Sequence, residues 1–487
     1  LSTSSEIEKN ITNSNDTVLL NKWNQLKFVK CKEDQLSSNI LANRQDEIDS
    51  LNNVANLLEA KLLSRILNLK SKIDYLNLTY KDVGNKLMEG CLAIEFIDFK
   101  QIVKNPSDTL ITKYAAMLMK KGWDKPKYIP LFDESELNSL TVNNPSNAYS
   151  ANANGPKLYS LIWRKLEPYM TKGADVYFSP SGKLWTLSIE NIPDGKGEVI
   201  SDVYRMHRVS STKNICIPTE TKMYSNAVLY GGLAYDVNDD VLTAENAKYN
   251  SSSTLYVLRG NDIESDSTRS GWNYLTGTLA EVNVIDSELK SDNINVTLFT
   301  GNDGVEGSFK SLSGKSPDIL HVATHGFFLS NTQTSRTAFF SPLADNVSVG
   351  IDPLLRSGLI MSGGNKAWKY GQSGDSNIDG ILTAREINSL DFSNTDLLVL
   401  SACETGLGEV GSQGVFGLQR AFKHAGVKTI IMSLWKVNDD ATRLMMQSFY
   451  SNLLKGCSME TAFNTAKAEV RKKYDSPYYW AAFIMLD

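Results

Sequence analysis

The chain has 487 residues, 41% hydrophobic and 22% charged, which is long and apolar enough for roughly two to four folded units. A net charge of −5 gives no basis for nucleic acid binding, and no run approaches the roughly 18 to 20 unbroken apolar residues of a membrane span. The five cysteines (Cys31, Cys91, Cys216, Cys403, Cys457) are odd in number and lack CxxC spacing, the usage of a reducing compartment. Of the four histidines only His321 and His325 stand four apart. No Cys or third His completes a set with them, so neither a structural metal nor a cofactor is expected. The chain starts at Leu1 without a signal-peptide pattern, as expected of a processed form or a piece of a longer protein.

Residues 1 to about 50 are polar, with helices expected in places. From Asn53 to Leu78 apolar residues recur at helical spacing. Thr79 and Asp82 form a capping-box pattern ahead of a short helix that ends near Gly90. Cys91–Phe99, Lys113–Met119 and Lys127–Leu131 are predicted strands. Leu158 to about Met170 reads as helical, and Asp175-Val-Tyr-Phe-Ser, the turn Ser179-Pro-Ser-Gly and Leu184–Ile189 read as a hairpin. Val203–Val209 is a further predicted strand. Ala227–Tyr235 has the apolar run of a buried strand, and Val237–Gly271 reads as a long surface excursion. Thereafter helices (Leu279–Leu289, Val305–Leu312, Val415–Ala425) alternate with strands (Asn295–Phe299, Ile319–Thr324, Leu397–Ser401, Thr429–Leu434). That rhythm predicts an α/β fold with a mainly parallel sheet flanked by helices. The stretch Asn331 to about Gly380 reads as a second long loop.

Two strands end in reactive side chains. Asp318-Ile-Leu-His-Val-Ala-Thr runs into His325-Gly326, and Leu397-Leu-Val-Leu-Ser-Ala runs into Cys403. In an open α/β sheet ligands bind at the carboxyl ends of the strands. A free thiol, with a pKa of about 8.5, is mostly protonated at neutral pH and needs a base; an imidazole near 6.5 can serve. The Gly326 and Cys403 amides could form an oxyanion hole. Composition and spacing alone leave Cys403 open as nucleophile or packing residue, because free cysteine is commonly buried. His321, amid apolar neighbours, reads as a core histidine, and His424 as a residue at a helix end.

Several stretches resemble the CHAT domain. They are His321-Val-Ala-Thr-His-Gly-Phe, Asp379-Gly-Ile-Leu-Thr-Ala-Arg-Glu-Ile, Leu400-Ser-Ala-Cys-Glu-Thr-Gly-Leu-Gly, Gly414-Val-Phe-Gly-Leu-Gln-Arg-Ala-Phe, Ser433-Leu-Trp-Lys-Val-Asn-Asp-Asp-Ala-Thr and Pro477-Tyr-Tyr-Trp-Ala-Ala-Phe. These domains are caspase-like, separase-related peptidases, often attached to tetratricopeptide repeats. The resemblance implies a Cys-His dyad of His325 and Cys403, with Gly326 and the Cys403 amide as oxyanion donors. It implies a caspase-like domain over 226–487, a leading α+β half over 91–225 and a helical segment over 1–90, the possible tail of an upstream repeat array.

It further implies a bacterial, cytoplasmic endopeptidase acting on a specific protein substrate and switched on by a regulatory protein or ligand, in some relatives within antiviral defence. Two other outcomes stay open: a silent interaction scaffold, and acyl transfer to an amine through the same dyad. Asp439 matches the position where separases carry an acidic residue for a basic side chain before the cut. An equal alternative is that Asp439 or Asp440 caps the following helix.

Overall fold

The computed structural model describes residues 77–104, 108–141, 149, 154–217, 223–249, 270–329, 353–370, 379–401, 409–411, 414–436 and 438–487, with scattered helical positions between 21 and 58. Most of the helix expected over 53–78, and Cys31, lie outside them. The capping box is formed. Asp82 accepts hydrogen bonds from the Thr79 N–H and hydroxyl, both at 2.7 Å, and the helix Tyr80–Lys86 follows.

Five strands build a leading sheet: β1 (Leu92–Lys104), β2 (Asp108–Met119), β3 (Lys127–Asp133), β4 (Asp175–Ser179) and β5 (Arg205–Arg208), in the order β3-β2-β1-β4-β5. The hairpin expected after Asp175 is not made. β4 pairs in parallel with β1 on one side and β5 on the other, so neither edge is left for a return strand. Residues 182–186 and 189–191 instead form 3-10 turns that bury Leu184, Trp185, Leu187 and Ile189. Gly182 needs its positive φ of 51°, and a side chain there would strike the Tyr114 hydroxyl, which accepts the Lys183 N–H at 2.9 Å.

The chain then lays down β6 (Asn226–Leu233), β7 (Asn295–Gly301), β8 (Ile319–Val322), β9 (His325–Phe328), β10 (Ser357–Ile360), β11 (Ile381–Thr383) and β12 (Leu397–Leu400). It continues with β13 (Glu409–Gly411), β14 (Gly414–Phe416), β15 (Thr429–Ser433) and β16 (Phe483–Leu486). Six of these form the main sheet, ordered β16-β15-β12-β8-β6-β7. All its pairs are parallel except β15 with β16. This is the mixed α/β, mainly parallel architecture that the alternating pattern predicts. The runs Ile-Leu-His-Val, Leu-Leu-Val-Leu and Thr-Ile-Ile-Met-Ser are buried at every position, as strands covered on both faces require. The helix α1 (Thr276–Ser291) packs on β6 and β7; after α2 (Gly364–Tyr370) come α3 (Asp439–Leu454), which packs on α1, and α4 (Met459–Lys473), which packs on α3. His321 is a satisfied core histidine, as expected: its ring nitrogens lie 3.0 Å from Glu281 Oε1 on α1 and 3.2 Å from the Tyr450 hydroxyl on α3.

Two predicted loops contain regular structure. Asp239–Ala247 is a helix inside the expected excursion, and the stretch 331–380 holds β10 and α2. The helix expected from Val415 starts at Leu418, because Gly414–Phe416 pair with β13. The two sheets meet edge to edge. The Asp487 N–H donates to the Arg208 carbonyl at 3.0 Å and the Ser210 N–H to the Asp487 carbonyl at 3.1 Å, and one buried apolar cluster runs from Leu92 to Leu486.

Candidate active site

β8 and β12 are adjacent and parallel, with Val322 opposite Leu400, and the Ser401 N–H bonds the Val322 carbonyl at 3.0 Å. The backbone leading to His325 and the backbone leading to Cys403 therefore leave the same end of neighbouring strands. Cys403 itself and residues 402–408 lie outside the described residues.

At Thr324 the chain crosses from the main sheet into the small sheet β11-β10-β9. The Thr324 hydroxyl fixes that crossing, donating to the Ile360 carbonyl and lying 3.0 Å from the Tyr235 hydroxyl. His325 opens β9, opposite Ile360. Its Nε2 lies 2.8 Å from the Asn273 carbonyl oxygen. A carbonyl can only accept, so Nε2 carries the proton and Nδ1 of the neutral ring keeps its lone pair. The Trp272 and Tyr235 rings flank the imidazole, with centroids 4.8 and 5.0 Å away. Burial depresses the His325 pKa below its usual 6.5 and the Lys436 charge adds to that, while the Asn273 carbonyl and Asp439 oppose it.

Gly326 stands opposite Leu359 in the antiparallel ladder. Antiparallel pairs alternate between bonded and non-bonded, and the Leu329 N–H bonds the Arg356 carbonyl at 2.7 Å. Counting back by twos makes His325–Ile360 a bonded pair and Gly326–Leu359 a non-bonded one. The Gly326 N–H therefore points away from β10, off the outer edge of β9 among the described residues.

Asp439 is the first residue of α3, but the cap is Asn438, whose Oδ1 accepts the Asp440 and Ala441 N–H groups at 3.0 and 3.3 Å. The capping alternative for Asp439 and Asp440 is thus corrected: Asp440 pairs with Arg443 at 2.9 Å, and Asp439 packs over Gly277, where a side chain would meet its Cβ at 2.9 Å. His424 ends the helix Leu418–His424, as expected, with Nδ1 3.3 Å from the Asn388 carbonyl oxygen. Cys91 is buried, 3.7 Å from Asp175, and Cys216 and Cys457 are half-buried. Among the described residues no group of His, Cys, Asp and Glu could hold a metal ion, and no helix is long and apolar enough to cross a membrane.

Sequence reasoning missed Asn273, Trp272 and Tyr235. The first acts through its backbone and leaves no residue-type signal. An indole at the end of a polar stretch was the available clue for Trp272.

The CHAT domain family matches residues 152–487. Tetratricopeptide repeat protein 28 of Homo sapiens and that of Mus musculus are each 32% identical over 108 residues, 22% of this chain. The chain spans 4% of the length of these curated relatives. Among solved structures, a Saccharomyces cerevisiae separase–securin complex aligns over 94% of this chain and 36% of that one, at 9% identity and a TM-score of 0.42. A complex of the pro- and mature domains of Porphyromonas gingivalis RgpB aligns over 72% and 70%, at 10% identity and a TM-score of 0.33.

Proposed function

Because this chain belongs to the CHAT domain family, we propose that it is a cysteine endopeptidase that cleaves a protein substrate through Cys403 and His325. The observation that carries the reading is the orientation of His325. A neutral imidazole, its Nε2–H held by the Asn273 carbonyl, keeps a lone pair on Nδ1, and the strand that His325 follows, β8, is paired with β12, the strand that leads to Cys403.

In this reading Nδ1 takes the thiol proton and the thiolate attacks the scissile carbonyl carbon. The oxyanion that forms is met by the Gly326 and Cys403 amides. The imidazolium then gives its proton to the leaving amine as the C–N bond breaks, leaving a thioester on Cys403 that water hydrolyses. Activation by a regulatory protein or ligand, and a bacterial cytoplasmic setting, belong to the same proposal.

The test is cleavage profiling on a peptide library with a Cys403→Ala control, alongside a thiol-reactive peptide probe. Wild type is expected to cleave and to be labelled at Cys403. A protein that stays unlabelled and uncleaving with candidate activators present would favour an interaction scaffold.

Asp439 extends the reading to substrate choice. Its carboxylate has no capping duty and stands close enough to His325 to bias that ring electrostatically. It is proposed to pair with an Arg or Lys side chain before the cut. Asp439→Asn should then cost roughly 30-fold or more in kcat/KM on peptides with Arg or Lys there, the lower end for a charge that loses its partner. Peptides with an apolar residue at that position should change little. A wild-type preference for apolar or acidic residues would remove this role.

A further inference from the structure

We infer that Asn365 is a positioning residue for His325, acting through the backbone of Trp272 and Asn273. The inference rests on the reading of His325 as the proton-transfer group. Asn365 is 1% exposed and is the second residue of α2. Its carboxamide is fully engaged. Oδ1 accepts the Trp272 N–H at 2.6 Å, and Nδ2 donates to the Trp272 carbonyl at 3.0 Å and to Asp236 Oδ2 at 2.9 Å. Its own N–H donates to the Tyr235 carbonyl at 3.1 Å.

A side chain that takes both the N–H and the C=O of one residue does the work of a neighbouring strand. Trp272 cannot turn without losing two bonds at a buried position. The next carbonyl along, that of Asn273, holds the His325 Nε2–H. The Trp272 and Tyr235 rings wall the imidazole. One buried carboxamide thereby fixes the Trp272 backbone, its ring and the neighbouring acceptor that sets the tautomer, while the Asn365 N–H holds the Tyr235 carbonyl.

Gly271 keeps the approach open. A methyl there would run into the Lys369 side chain and lie 3.1 Å from Asn365 Oδ1. Aspartate at 365 would lack the two N–H donors, and leucine would lack donors and acceptor alike.

A purely structural Asn365 would lower stability when replaced and leave the imidazole as it was. A positioning Asn365 changes the imidazole itself. The experiment labels histidine with ¹⁵N in the intact chain, whose four histidines give few signals, and assigns His325 by the signal lost in His325→Gln. Wild type should show the Nε2–H tautomer. Folded Asn365→Ala should show a mixture of tautomers, with kcat reduced about 10- to 100-fold, the scale of an approximately 1 Å misplacement, and KM within about twofold.

An unchanged Nε2–H signature in folded Asn365→Ala would overturn the assignment. If that variant does not fold, Asn365→Ser takes its place, and an unchanged Nε2–H signature in folded Asn365→Ser overturns the assignment too. A wild type that neither cleaves nor takes the thiol probe would end the proteolytic reading, while the tautomer ratio would still decide the role of Asn365.

Discussion

Cys403→Ala and His325→Ala should each lower peptide cleavage by about 10⁴-fold or more while leaving the protein folded. Members of a nucleophile–base pair act as a unit, so losing either costs nearly as much as losing both. Side chains that serve chemistry rather than packing carry little of the fold, so neither substitution should cost more than about 1–2 kcal/mol of stability. Cleavage within tenfold of wild type by either variant would end the dyad assignment. The pH dependence carries a sign. Burial and Lys436 hold His325 below its usual 6.5, so the neutral base persists below that pH and the acid limb of kcat/KM should bend below 6.5. Removing the Lys436 charge with Lys436→Met should move the limb up, and Asp439→Asn should move it down. An acid limb above 6.5 in wild type would contradict the burial account.

Arg208→Ala should destabilise the protein by about 3–5 kcal/mol, the cost of leaving one member of a buried ion pair alone. The Arg208 guanidinium is almost wholly buried where the leading sheet meets the main one. Nη2 donates to Glu190 Oε2 at 2.8 Å and to the Leu187 carbonyl at 2.6 Å. Nε and Nη1 have no hydrogen-bond partner among the described residues, so the desolvation of the cation is only partly offset. The double replacement Arg208→Met, Glu190→Leu should therefore recover most of the loss, since apolar side chains remove both charges at once. Urea midpoints for the single and double variants check both statements. A single variant within 1 kcal/mol of wild type would mean that water reaches the pair.

What could be read from the sequence was whatever its own neighbours dictate. The mainly apolar runs of β6, β8, β12 and β15 announce strands buried on both faces, and Thr79 with Asp82 announces a helix start. His325 and Cys403 each follow such a run, but that these two strands, β8 and β12, are neighbours is shown only by their pairing. The hairpin after Asp175 failed because β4 has both edges filled by β1 and β5, which are distant in sequence. Asp239–Ala247 was hidden because the helix is polar, with Asn246 its one buried residue. β10 has four residues, two of them Ser357 and Gly358, too short to register as a strand. Asn365 sits in Gly-Gly-Asn, which has the composition of a turn, and nothing local says that its amide faces Trp272.

The seam between the two sheets has a consequence for synthesis. Asn214 and Asp487, 273 residues apart, are joined by a 3.2 Å hydrogen bond at that seam, beside the Arg208 and Ser210 contacts with Asp487. A ribosome adding about 5–20 residues per second needs about 14 to 55 s to cover that distance. Throughout that time the outer edge of β5 stands uncovered, a template for pairing with other nascent chains. β5 is only four residues long, Arg-Met-His-Arg. So short an edge strand truncates such pairing, and its brevity protects the half-made protein while its partner strand is still untranslated.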